Sequence, residues 1–390
     1  MDALSPVATA TYQALLLWQA LPGCGPKRWQ QAAQRWPDWP TPLLTSQPAC
    51  LQWLPATARE RWSSIQQQTE QQWQRLQDWL AASPLHSVLS QDDPLYPPLL
   101  AEVEGAPLLL YVKGRAAALA LPQVALVGSR HASVQGLHTA HSFARELTRQ
   151  GLSVTSGLAL GIDTAAHQGA LKGSSNQDAT TIAVLGTGID RLYPARNQAL
   201  AEQILAAGGA LVSELPLGTG PLAGNFPKRN RLISGLSAAV IVVEAALKSG
   251  SLSTASHALG QNRPLFAVPG SIHQPQSRGC HALIRQGAIL LEEIEQVLQE
   301  LAPLLGHQRQ VLQQRLQQHG ADAQTEEAAT QPLWRVLDEL PRSPDELAAL
   351  SGQPLQEILS QLLEWELLGR VVQAPGGYVR DPAYGAGRAS

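Results

Sequence analysis

The central part of the chain alternates short apolar runs with segments of helical spacing. This alternation is typical of a parallel sheet whose crossover helices cover both of its faces. The apolar runs predict strands at Val124–Val127, Leu152–Thr155, Thr181–Leu185, Ala210–Val212, Ala239–Val243, Leu265–Val268 and Ala288–Leu291. We therefore expect an α/β fold with a Rossmann-like parallel sheet over residues 121–298.

The segments on either side of this region follow other patterns. Residues 1–82 carry Trp, Leu and Ala at helical spacing, interrupted by Pro and Gly, which predicts several short helices. Residues 83–120 are rich in Pro and predict an extended strap. Residues 299–331 are rich in Gln and predict a linker. Residues 332–381 predict three helices and a hairpin, which is a winged-helix layout.

In the N-terminal segment, LPGCGPKRW (Leu21–Trp29) places a Gly-x-Gly turn between two helical patterns. A phosphate-binding helical hairpin is one interpretation, and a plain turn in a compact helical domain is the favoured one. The tryptophans of this segment are likewise expected to form a core rather than a base-stacking surface.

Composition narrows the class of protein. Of the 390 residues, 44% are hydrophobic and 15% are charged, so a sizeable core is expected. The net charge of −3 argues against a broadly basic surface but permits a local basic cleft. Cys24, Cys50 and Cys280 are scattered, which predicts a reducing compartment and no structural zinc. No signal-peptide pattern or membrane-length apolar run is apparent, so we expect a cytoplasmic protein.

Candidate chemistry lies in the turns that follow the predicted strands. Gly128, Ser129 and Arg130 follow the first strand, where a close backbone approach and a guanidinium suit a phosphate. This turn lacks the glycines of a dinucleotide fingerprint, and an ordinary strand-to-helix turn explains it equally well.

The most informative stretch is FPKRNRLISGLSAAVIVVEAALKSGSLSTA, from Phe226 to Ala255. It predicts a basic turn that opens a helix, then a strand, then a Gly/Ser loop that opens another helix. Such loops present backbone N–H groups to anions. Phe226 is a candidate for stacking a base, or alternatively an anchor for the loop.

Other polar residues in these turns are open to two interpretations. Asp163 and His167 are four residues apart on a predicted helix, which permits acid–base work, although a capped helix is favoured. Glu244 ends a strand and is a candidate for a sugar hydroxyl or for orienting a cation. Arg196 follows the third strand in an expected substrate-lining loop. Because the strand ends share one edge, we expect Arg130, Arg229 and Arg231 to converge in one groove, although no single turn is specific.

The motifs VGSR, SGLALGID, TIAVLGTGID, SELPLG, FPKRNRLISGLS, IVVEA, SGSLSTA, VPG and GCHALIRQGA occur in this order. In this the chain resembles the DNA-processing protein A (DprA/Smf) family, densely from Asp93 to Leu291. The N-terminal segment resembles its sterile-alpha-motif-like domain, and the C-terminal segment resembles its winged helix. Two departures are Ile241, where the family pattern begins VVVEA, and Ala195, where many members carry Lys or Arg. Arg196 is the candidate to replace that contact.

The resemblance implies a protein without catalytic residues or cofactor that binds single-stranded DNA and loads the RecA recombinase in natural transformation. It also implies a homodimer through residues 279–290, near which RecA binds. Candidate DNA-binding residues are Gly128, Ser129, Arg130, Ser156, Gly157, Arg196, Phe226, Lys228, Arg229, Asn230, Arg231, Ser249, Gly250 and Ser251.

Two further expectations complete the picture. The third helix of the winged-helix segment carries Glu357, Glu364 and Glu366 without Lys or Arg before Arg370, so we expect protein docking or autoregulation rather than duplex binding. The rival function is a nucleotide-phosphate hydrolase of the lysine-decarboxylase-like group. That group's catalytic Glu has no counterpart here, because His257 falls close to its place.

Overall fold

A computed structural model describes residues 6–45, 50–174, 180–302, 332–337, 341–367, 370–374 and 376–380. The chain divides into two compact units, Met1–Leu305 and Gly306–Ser390. The predicted linker lies largely outside the described residues. The core of the first unit nevertheless extends past the predicted boundary at residue 298, because Leu301 is fully buried in it.

A nine-stranded sheet forms the centre of the first unit. Its strands are β1 (His86–Ser90), β2 (Leu109–Gly114), β3 (Gln123–Val127), β4 (Ser153–Ser156), β5 (Thr181–Val184), β6 (Ala210–Ser213), β7 (Ala239–Val242), β8 (Leu265–Ala267) and β9 (Ile289–Leu290). They are ordered β1-β2-β6-β5-β4-β3-β7-β8-β9. The seven strands β3 to β9 pair in parallel, which confirms the predicted α/β class.

The segment expected to be an extended strap contributes two strands instead. β1 pairs antiparallel with β2, and β2 pairs antiparallel with β6 at the sheet edge. Leu110 and Val112 of β2 are fully buried in the same core as the parallel strands. Residues 83–120 therefore extend the sheet.

The described helices of the first unit pack around this sheet and in the N-terminal segment. They are α1 (Pro6–Ala20), α2 (Pro26–Arg35), α3 (Ala56–Glu60), α4 (Trp62–Ala81), α5 (Pro98–Ala101), α6 (Val134–Arg149), α7 (Ile162–Gly173), α8 (Gln198–Ala206), α9 (Asn225–Leu236), α10 (Ser251–Gly260) and α11 (Arg278–Arg285). Residues 294–302 are also helical.

The N-terminal helices enclose a tryptophan core, as the spacing predicted. Trp18 is fully buried, and its ring lies 5.5 Å from that of Trp29 and 5.3 Å from that of Trp39, edge to face. The Gly-x-Gly segment is the turn between α1 and α2, where Gly23 has a left-handed φ of +73°. The expectation of only short helices is wrong for α4, which spans 20 residues.

The second unit contains α12 (Pro332–Val336), α13 (Pro344–Ser351), α14 (Leu355–Leu367), β10 (Val371–Ala374) and β11 (Gly377–Arg380). A capping box between Ser343 and Glu346 begins α13, and Gly352 ends it with a left-handed φ of +70°. Strands β10 and β11 form the antiparallel wing of the predicted winged helix. Pro375 of the expected turn and the Glu364 side chain lie outside the described residues.

Candidate nucleic-acid interface

A groove of about 820 Å³ lies at the carboxyl ends of β3 and β7. The strand order reverses between these strands, because the chain proceeds from β3 towards β6 on one side and from β7 towards β9 on the other. Open α/β sheets bind ligands at such a switch point. Of the predicted residues, Gly128, Ser129, Arg130, Phe226, Arg229, Asn230, Ser249, Gly250 and Ser251 line the groove.

Arg130 is the exposed cation of the loop after β3. Its guanidinium carbon lies 5.9 Å from the centroid of the Phe226 ring, within cation–π range. The hydroxyl of Ser129 accepts a hydrogen bond of 3.1 Å from the backbone N–H of His131, which orders the loop. The geometry thus holds a guanidinium beside an aromatic ring, a pairing suited to a phosphate next to a base.

Packing alone is sufficient to require glycine at position 128. A Cβ at this position would lie 2.6 Å from Cγ1 of Ile162 and 2.9 Å from the backbone oxygen of Glu244. The Glu244 carboxylate accepts hydrogen bonds from the backbone N–H and hydroxyl of Ser133, at 2.9 and 2.5 Å. Glu244 therefore holds the start of α6, a contact that the sequence analysis did not anticipate.

Arg229 forms the floor of the groove. Only 5% of it is exposed, and its guanidinium donates to the backbone oxygens of Gly157, at 2.8 Å, and Val184. Burial lowers the pKa of Arg229 to about 10, against the opposing influence of Asp163. Because its donors face carbonyls at the ends of β4 and β5, this side chain chiefly ties the strand ends together.

The Asp163 carboxylate accepts from the N–H groups of Gly157 and Ala159, at 3.1 and 3.3 Å. The imidazole Nδ1 of His167 lies 2.7 Å from the hydroxyl oxygen of Thr181, and burial lowers the pKa of His167 to about 3. Each side chain is thus committed to a separate structural contact rather than to an acid–base pair. The favoured capped helix is wrong as well, because α7 begins after Gly161 without a side-chain capping hydrogen bond and His167 contacts Thr181 instead of its helical neighbour.

The predicted convergence of three arginines is wrong for Arg231. Its guanidinium pairs with the Glu214 carboxylate, and it does not line the groove. The basic segment is part of α9 rather than a turn, and residues two apart on a helix do not face the same way. Arg229 and Arg231 therefore point in different directions.

Four other predicted residues also lie outside the groove lining. Lys228 and Arg196 are exposed, whereas Ser156 and Gly157 are buried. The Ser156 hydroxyl donates to the backbone oxygen of Leu126 at 2.6 Å, which joins β4 to β3.

The loop before α10 forms one wall of the groove. The Asn230 side-chain amide donates to the backbone oxygen of Gly250 at 3.2 Å, and the hydroxyl oxygens of Ser249 and Ser251 lie 2.7 Å apart. The Ser251 N–H donates to the Ser249 hydroxyl oxygen at 3.3 Å. The Gly250 N–H, by contrast, has no hydrogen-bond partner among the described residues.

The sequence analysis missed Lys248 as a group of the groove, and it placed Tyr193 only in the expected substrate-lining loop without giving it a role. Lys248 lines it one residue before the predicted Gly/Ser loop and is exposed. Tyr193, which is 46% exposed, lies with its ring centroid 5.5 Å from that of Phe226. The signals were a cation beside the loop and an aromatic residue in the loop after β5. Together with Arg130 these groups give the groove two exposed cations and two aromatic rings.

In the described part of the chain, no cluster of His, Cys, Asp or Glu side chains has the arrangement of a metal site. His257 of α10, where the rival hydrolase would carry its glutamate, is not among the residues that line the groove. Of the helices that the structure describes, none combines the length and apolar character needed to cross a membrane.

Comparison with known proteins agrees with this architecture. Residues 87–302 match the model of the DNA recombination-mediator protein A family, and residues 317–377 match the DprA winged helix domain. Protein Smf of Escherichia coli is 44% identical over 302 residues, covering 77% of this chain and 79% of that protein. DNA processing protein DprA of Streptococcus pneumoniae is 45% identical over 208 residues, covering 53% of this chain and 72% of that protein.

The crystal structure of the Streptococcus pneumoniae protein has a TM-score of 0.52 with 40% identity, covering 61% of this chain and 81% of that one. Fold and groove define an α/β protein with a cleft at the switch point of a parallel sheet, lined by exposed cations and aromatic rings. The chain belongs to the DNA recombination-mediator protein A (DprA/Smf) family, a family of DNA-processing proteins.

Proposed function

We propose that this chain binds single-stranded DNA in the strand-end groove and acts as a recombination mediator without catalysing a reaction. The observation that carries the proposal is the pairing of exposed cations, Arg130 and Lys248, with the aromatic rings of Phe226 and Tyr193. Cations contact phosphates, and aromatic faces stack bases of any sequence, which is the usual combination for single strands.

The groove is better suited to binding single-stranded DNA than to catalysis on a mononucleotide. The carboxylate among its lining residues is that of Asp163, which is buried and accepts two backbone N–H groups. It is therefore occupied in holding the loop after β4. Family membership supports the same choice, because the matching model describes a recombination mediator.

A salt series tests this function. Each phosphate neutralised on a single strand contributes about −0.7 to the slope of log K against log salt concentration. The two exposed cations of the groove, Arg130 and Lys248, therefore predict a slope of about −1.4 for a short fluorescent oligo-dT. A slope near zero, or no binding in low salt, would contradict the proposal, and release of base from a nucleoside monophosphate would favour the hydrolase.

The proposal includes a homodimer through residues 279–290 and delivery of the DNA to RecA, both on the strength of the family resemblance. One feature supports the dimer. Strand β9 lies at the end of the sheet order, and Ile289 and Leu290 are 37% and 39% exposed there. An apolar edge strand is a ready surface for a second chain. Light scattering checks this association, and a monomer at micromolar concentration would contradict it.

For the winged-helix unit we propose a protein contact rather than duplex binding. Leu355, Leu359 and Leu363 of α14 are 40%, 46% and 42% exposed and share one face at four-residue spacing. Glu357 is exposed on the same helix. An apolar, acidic surface disfavours DNA phosphates and suits a protein partner.

A further inference from the structure

A second depression adjoins the DNA groove and shares two of its residues. It has a volume of about 510 Å³ and lies over α6 and α7, and Arg130 and His131 line both it and the groove. His138 and His141 line its α6 side, and Leu160 and Gln168 line its opposite side. A single strand of DNA that left the groove past Arg130 would enter this depression directly.

The helices meet closely because α7 carries glycine where it crosses α6. A Cβ at Gly169 would lie 2.1 Å from the backbone oxygen of His141, and one at Gly173 would lie 2.2 Å from that of Arg145. This contact places Lys172 of α7 near the side chains of α6. Arg145 and Lys172 therefore lie next to the depression, close to His141 of its lining, and are not part of the lining themselves.

Three basic side chains of α6 lie on the face next to Lys172. His138, His141 and Arg145 recur at three- and four-residue spacing on α6, so they share a face. His141 has a lowered pKa because it is partly desolvated and because Lys172, Arg145 and His138 repel its charged form. Within the described residues no carboxylate forms an ion pair with Arg145 or Lys172, whereas Arg149 one turn further pairs with Glu146 at 3.7 Å.

We propose that His131, His138, His141, Arg145 and Lys172 form a second phosphate-binding track that carries single-stranded DNA onward from the groove across α6 and α7. The inference rests on the proposed function of the groove and adds the path of the strand. Arg145 and Lys172 carry positive charge without a carboxylate partner among the described residues, so phosphates would balance that charge, and the imidazoles can donate hydrogen bonds to them. Leu160, which is 39% exposed and lines the second depression, offers an apolar surface for a base.

Binding of short and long oligo-dT tests the track. A short oligo-dT fills the groove alone, and a longer one also reaches the track. For wild type, the longer oligo-dT should bind more tightly and show a slope steeper by about 1.4, because Arg145 and Lys172 add two phosphate contacts of about 0.7 each. The double variant Arg145→Ala/Lys172→Ala should lose this added slope and bind the short oligo-dT as wild type does.

The matched control is Arg59→Ala/Arg61→Ala, which removes two exposed arginines of the N-terminal helical segment and changes the net charge equally. It should leave both affinities unchanged. The second track would be contradicted if the Arg145/Lys172 variant kept the wild-type slope on the long oligo-dT, or if the control variant lost the same amount of slope. Neither result would affect the proposed binding of DNA in the groove. If wild type binds neither oligo-dT, the groove itself is wrong.

Discussion

Replacement of Arg130 by alanine is expected to lower the affinity for short oligo-dT by at least about tenfold. A hydrogen bond to a charged group contributes about 1.5–3 kcal/mol, and 1.4 kcal/mol corresponds to a factor of ten. Arg130 is exposed, and its side chain forms no ion pair with a described carboxylate, so the fold should survive its loss. Fluorescence anisotropy in low salt measures the change.

Arg59→Ala is the control for this experiment, since it removes an exposed arginine of the N-terminal helical segment. Its affinity should remain within about twofold of wild type. Equal binding by wild type and Arg130→Ala would mean that the groove is not the DNA site, and the N-terminal turn at Leu21–Trp29 would become the next surface to examine.

Replacement of Arg229 by alanine should instead destabilise the fold. The change leaves the backbone oxygens of Gly157 and Val184 without their donor and leaves Asp163 buried without a nearby cation. Each hydrogen bond to a charged group contributes about 1.5–3 kcal/mol, so the loss of both should cost about 3 kcal/mol or more. Urea denaturation should show a loss of this order in the free energy of unfolding.

Lys228→Ala is the matched control, because it removes the neighbouring, exposed cation of α9. Surface changes of this kind usually alter stability by less than about 0.5 kcal/mol. Should Arg229→Ala be as stable as Lys228→Ala while losing DNA affinity, Arg229 would be a direct phosphate ligand, and its structural assignment would be wrong.

The parallel strands could be predicted because they are buried on both faces. Val240 and Ile241 of β7, for example, are fully buried on opposite faces of the sheet, so the run is apolar without interruption. β1 and β2 were missed because the prolines between them indicated an extended segment. β1 and β2 form an antiparallel pair at the sheet edge, and Tyr111 packs against the N-terminal helical core. Their sequences therefore show a weaker apolar pattern than those of the central parallel strands.

The sequence predicted where the candidate site lies better than it predicted the contacts of the individual side chains. Strand-end loops identify the edge of the sheet, which placed Arg130 and the Gly/Ser loop correctly in one groove. The sequence does not state which side of α9 faces the groove, since that depends on where the helix begins. The helix α9 begins at Asn225, so the side chain of Arg229 lies on the buried side of the helix and that of Arg231 contacts Glu214.

Photocrosslinking tests the central claim most directly. Wild-type protein would be irradiated with an oligo-dT that contains 4-thiothymidine, and the crosslinked peptides would be identified by mass spectrometry. The account predicts crosslinks to the loops that carry Arg130, Tyr193 and Phe226. Crosslinks confined to the N-terminal helices or to residues 341–380 of the winged-helix unit, with none at the strand ends, would contradict it.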